Sequence, residues 1–74
     1  MSVRWTPERM DRLESAARRG LRVTIARRGS EYVVIARRIA VVDRKESFIG
    51  FLPMTGEELV FALDDIDGFE VIGL

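Results

Sequence analysis

Residues 6–26 read TPERMDRLESAARRGLRVTIA, and the spacing of apolar residues changes inside them, at Gly20. Before Gly20, Met10, Leu13 and Ala17 recur at i, i+3 and i+7, the pattern of one helix face. Thr6 is placed to cap with its hydroxyl, Pro7 stands where a missing N–H costs nothing, and Glu8 suits the positive end of the helix dipole. Trp5 and Met10 are spaced as a hydrophobic staple across that cap. Arg18 and Arg19 occupy the last turn and Gly20 supplies a left-handed stop, so the sequence predicts a helix over 7–19. Glu8 with Arg12, and Glu14 with Arg18, are spaced as i,i+4 pairs on its other faces. After Gly20, Leu21, Val23 and Ile25 alternate with Arg22, Thr24 and Ala26, which is strand periodicity.

Working outward, Arg28-Gly29-Ser30 reads as a turn, and the chain from Tyr32 to Val42 is apolar on both faces except at Arg37 and Arg38. Two adjacent arginines in a strand point to opposite faces, so one would enter the core unless the strand bends there. A bend is expected in place of a tight hairpin, because two-residue turns favour Gly, Asn or Asp at positive φ. Asp43-Arg44-Lys45-Glu46 is a polar turn, Ser47 to Leu52 a third strand and Pro53-Met54-Thr55-Gly56 a second clear turn. Leu59, Phe61 and Leu63 mark one face of a fourth strand. Asp64-Asp65-Ile66-Asp67-Gly68 turns the chain again, and Phe69 to Ile72 makes a fifth.

One helix followed by five short antiparallel strands, about 21–73, is the pattern of an α+β domain in which the helix covers a five-stranded Sm-like (SH3-like) barrel. At 74 residues the whole chain, 1–74, makes a single domain. A chain of that length buries only about 60–65% of the surface its unfolded form exposes. With no Cys and no His it has neither disulfides nor the usual zinc and iron ligands as staples. The apolar runs Tyr32–Ala36 and Ile39–Val42 exceed what one small sheet readily covers, so a homodimer or higher oligomer is expected.

Catalytic chemistry finds no foothold in this composition. Ser2, Ser15, Ser30 and Ser47 have no imidazole to activate them, Lys45 is a lone lysine in a turn, and Gly29, Gly50 and Gly56 are isolated, not part of a phosphate loop. The expectation is a protein that is not an enzyme and carries no cofactor and no metal. The cluster Asp64, Asp65 and Asp67 offers oxygen ligands but lacks the further ligands of a calcium loop, and reads as a capped turn. No stretch of about 18 consecutive apolar residues suits a membrane span, and the charged first twenty residues do not form a signal peptide. A cytoplasmic location follows as an expectation.

Charge is neutral overall but divided along the chain. Residues 1–45 hold all twelve basic residues against five acids, a net +7, and residues 46–74 hold seven acids and no base, a net −7. Either the fold interleaves the two halves and neutralises them locally, or it displays a polarised surface. The pairs Arg18/Arg19, Arg27/Arg28, Arg37/Arg38 and Arg44/Lys45 each fall near an element end or a suspected bend. Brought to one rim, they would form a patch for phosphates or acidic side chains. Arg27, Arg28, Tyr32, Arg37 and Arg38 are therefore the candidate partner- or nucleic-acid-binding residues, with Tyr32 as the one aromatic near a basic pair. Phe48, Phe51, Phe61 and Phe69 read as core.

The segment from Leu13 to Ile25, LESAARRGLRVTI, together with Phe61-Ala62-Leu63-Asp64-Asp65-Ile66, resembles the frame of Rof-type Rho-binding antiterminators and of WYL domains. Both families are Sm-like barrels that begin with a helix rich in Leu, Glu and Ala. The WYL domains' Trp-Tyr-Leu run is replaced here by Ser47-Phe48-Ile49-Gly50-Phe51, and Asp65 stands where their closing turn usually has a basic residue. Rof-like proteins are acidic inhibitors of a termination factor, so the resemblance implies a bacterial regulatory or adaptor module that binds a protein partner. It transfers no individual contact residue. The alternatives are an Sm-like nucleic-acid-binding domain using the arginine pairs, and a structural homo-oligomer.

Overall fold

A computed structural model describes residues 3–73 of the chain. Helix α1 runs Pro7–Arg19, with the Arg9 N–H donating to the Thr6 hydroxyl and Gly20 left-handed at φ +65° as its C-cap. Five strands follow: β1 Arg22–Arg27, β2 Ser30–Val42, β3 Lys45–Leu52, β4 Glu57–Ala62 and β5 Gly68–Gly73, with a 3-10 turn at Leu63–Asp65 before the last. They form one antiparallel sheet in the order β4-β3-β2-β1-β5. The α+β class and the period change at Gly20 are thus as the sequence predicts.

The polar turns between strands are tighter than the sequence suggests. β1 and β2 are joined by Arg28-Gly29, and β2 and β3 by Asp43-Arg44, all four residues at positive φ. That is the backbone a two-residue hairpin needs to match strand twist. Lys45 and Glu46, expected in a turn, accordingly begin β3.

The bend at the arginine pair is a β-bulge. Ala36 pairs with Gly50 and Arg38 with Ile49, so Arg37 is an extra residue in β2 with no partner in the ladder. Its consequence is a change of parity. Before the bulge Tyr32, Val34 and Ala36 face the core; after it Ile39 does, and Arg38, which strict alternation would have sent inward, faces out.

The core lies between α1 and one face of the bent sheet: Leu13 and Ala16 from the helix, then Leu21, Val23, Ile25, Val34, Ala36, Phe48, Phe61, Leu63 and Ile66. Ala16, not Ala17, is the buried alanine. The helix is centred on the sheet between Leu13 and Ala16, which leaves Met10 and Ala17 about 70–90° around its axis, flanking the core. The Trp5 ring stacks on Phe69, centroids 5.4 Å apart, and its Nε1–H donates to the Leu63 carbonyl at 2.9 Å.

Closure into a barrel would require the edge strands to pair, and among the described residues no ladder joins β4 to β5. The sheet is open. After Ala62 the chain leaves the ladder for the 3-10 turn, and that turn and the residue after it place Leu63 and Ile66 in the core. Leu63, expected on a strand face, is buried from this turn.

Candidate binding surface

The five candidate residues separate into three groups. Arg27 ends β1 on the same face as the buried Val23 and Ile25, and its guanidinium lies over the rings of Phe61, at 4.8 Å, and Tyr32, at 5.2 Å. Tyr32 in turn packs edge-on against Phe61. Arg27 and Tyr32 therefore close the open end of the core, the guanidinium supplying both a charge over the π faces and an apolar stem beside them. The Tyr32 hydroxyl accepts a long hydrogen bond from Arg27, 3.4 Å, which lowers its pKa.

Arg28 is engaged by the acidic half of the chain. Its backbone N–H donates to an Asp67 carboxylate oxygen at 3.0 Å, its guanidinium meets Asp65 at 3.4 Å, and the Asp67 N–H donates to the Ala26 carbonyl. Here the two oppositely charged halves interleave and neutralise each other. The Arg28 N–H holds the Asp67 carboxyl below the usual carboxylate range. Because the folded pKa is depressed, Asp67 adds stability above the ordinary Asp range, and that contribution disappears as pH falls through the folded value. Asp67→Asn should therefore lower stability near neutral pH and flatten the acid side of a stability-against-pH curve measured by urea denaturation. An unchanged acid limb would contradict this role. Among the described residues, no group of three His, Cys, Asp or Glu side chains is arranged to hold a metal ion.

Arg37 and Arg38 project at the bulge, roughly 17 Å along the strand from Tyr32 at about 3.3 Å per residue. The Arg37 guanidinium covers the Phe51 ring at 4.6 Å, and Arg38 approaches Glu58 on β4 at 3.7 Å. Both line a groove of about 330 Å³ with Arg18, Glu14, Ala17 and Ile39. The helix end and the bulge are held together because the Leu21 N–H donates to the Ala16 carbonyl and the Leu21 carbonyl accepts from Ala36 N–H. Of the four basic pairs, then, the Arg37/Arg38 pair meets only Arg18. Arg44 and Lys45 line a separate cavity of about 560 Å³ near the helix N-terminus, with Trp5, Met10 and Asp64 among its walls.

The opposite face of the sheet carries a feature that residue types alone obscured. Register places Ile35 beside Phe51 and Ile49 beside Val60 on this face, and Val33 is two residues along from Ile35. Val33 is 49% exposed and Val60 44%, while Ile35 and Phe51 are half-buried. Phe51, read from sequence as core, thus belongs to the outer face beneath Arg37. The signal that could have found this strip is the run Tyr32–Ala36, apolar on both strand faces. The strip reaches β4, which pairs with β3 alone and so leaves a free strand edge among the described residues. No helix among the described residues is long and apolar enough to cross a membrane. Compared with protein-family models, curated proteins and solved structures, the chain has no match.

Proposed function

We propose that this chain is a non-enzymatic regulatory or adaptor module of the bacterial cytoplasm, built on an Sm-like frame, that binds a protein partner through the outer face of its sheet. One observation carries the reading: Val33, Ile35, Phe51 and Val60 lie on the sheet face away from the core, and Val60 belongs to β4, whose outer edge is unpaired among the described residues. Exposed apolar side chains on a sheet face that ends in an unpaired strand suit a partner that buries side chains while adding a strand to the sheet. The nucleic-acid alternative is less favoured at Arg27, whose guanidinium lies over Phe61 and Tyr32, than at Arg28, whose guanidinium meets Asp65 at 3.4 Å with its side chain 77% exposed.

The test uses a Val33→Asp/Val60→Asp double variant. Both side chains are about half exposed, so the variant should unfold at nearly the wild-type temperature. Crosslinking in source cells should join a protein to the wild type and not to the variant, and hydrogen exchange on the recovered complex should show protection of the β4 amides. Three results would refute the reading: equal crosslinking of the variant, recovery of a nuclease-sensitive complex in place of a protein, or sedimentation of the wild type as a homo-oligomer that the double variant dissociates.

A further inference from the structure

We infer that the groove between the C-terminal half of α1 and the β2 bulge binds an acidic, apolar-interleaved segment of the protein partner; this rests on the protein-binding reading above. Arg18, Arg37 and Arg38 line the groove together with the apolar Ala17 and Ile39, and Glu14 is the one acid lining it. Among the described residues neither Arg18 nor Arg37 forms an ion pair, and Arg38 has only the 3.7 Å contact to Glu58, with both side chains about half exposed. A groove lined by three arginines, one acid and two apolar side chains fits carboxylates that alternate with aliphatic side chains.

The bulge is what creates this site. By inserting Arg37 it turns two consecutive arginines away from the core, beside the last turns of the helix. A sugar–phosphate chain fits less well. A polyanion needs a basic track and exposed rings on which bases stack. Here Glu14 and Glu58 flank the arginines, the ring nearest them, Phe51, lies under Arg37, and Tyr32 lies at the far end of the strand under Arg27. Arg37 also borders the outer apolar strip through Phe51, so one partner segment can cross from strip to groove.

The experiment titrates isotope-labelled protein with a synthetic peptide in which Asp and Glu alternate with Leu. A peptide with Lys in the acidic positions and a uridine oligonucleotide of equal length serve as comparisons. Amide shifts at Ala17, Arg18 and residues 37–39 with the acidic peptide alone are expected. Binding should weaken about tenfold in Arg37→Gln/Arg38→Gln and fall with added salt, with melting unchanged and Arg44→Gln binding as wild type does. No shifts with the acidic peptide, shifts confined to the Val33–Val60 face, or tighter binding of the oligonucleotide would each overturn the inference. The two readings fail separately: loss of the crosslinked partner in the Val33→Asp/Val60→Asp variant but not in Arg37→Gln/Arg38→Gln removes the groove and keeps the protein-binding function.

Discussion

Phe61→Ala should destabilise the protein by about 3–5 kcal/mol, whereas Val60→Ala, one residue earlier, should cost under about 1 kcal/mol. Phe61 is fully buried in the middle of the aromatic group, 5.3 Å from Tyr32 and 6.3 Å from Phe48 between ring centroids, with Arg27 above it. Truncation removes the ring's burial, leaves a cavity that β-sheet neighbours cannot readily close, and strips Arg27 and Tyr32 of the surface they cover. Domains of this size hold roughly 0.05–0.15 kcal/mol per residue, so the loss consumes a large share of the total. Chemical denaturation of both variants measures the contrast. Equal losses would mean that β4 does not present Phe61 to the core and Val60 to the outer face.

Gly50→Ala should cost about 1–3 kcal/mol, a large effect for a single methyl group. A Cβ at residue 50 would lie 2.5 Å from Val34 Cγ2 and 2.8 Å from Val34 Cβ. Val34 is 1% exposed and β-branched, so it has little freedom to turn aside. Gly50 also faces Ala36, the last regular pair before the bulge, and two small residues there let β2 and β3 curve toward the core. Val34→Ala removes the 2.5 Å contact to Cγ2 but keeps the 2.8 Å contact to Cβ, so it relieves the clash in part. The double variant Val34→Ala/Gly50→Ala should therefore lose less stability than the two single changes together, by about 0.5–3 kcal/mol, as a double-mutant cycle reads it. Strict additivity would show that the contact with Val34 Cγ2 adds nothing to the cost of a methyl group at residue 50.

The same pair of strands shows how far the sequence can be read. The switch in period at Gly20, the capping residues and the turn chemistry are local, so the helix bounds and the number of strands follow from neighbouring residues alone. Arg37 and Arg38 are local in the same sense, since two arginines in an apolar strand demand an irregularity. That it takes the form of a bulge depends on the opposite strand, where Gly50 and Ile49 accept the offset register. The candidate site was legible only in part. Basic pairs at element ends were visible, but Arg27 belongs to the core's lid and Arg28 to the acidic turn, because Phe61, Asp65 and Asp67 reach them from more than thirty residues away.

By itself, then, the sequence determined the helix, the five strands, the bend in the second of them and the absence of His and Cys chemistry, each through interactions within a few residues. Only the tertiary structure decided which face Phe51 takes, that Leu63 and Ile66 enter the core from a 3-10 turn, and that the sheet stays open. It also decided that Arg27 covers the core's aromatic rings and that Arg18, Arg37 and Arg38 line one groove. Those outcomes depend on strand register and on pairings distant in the chain, and residue periodicity carries no information about either.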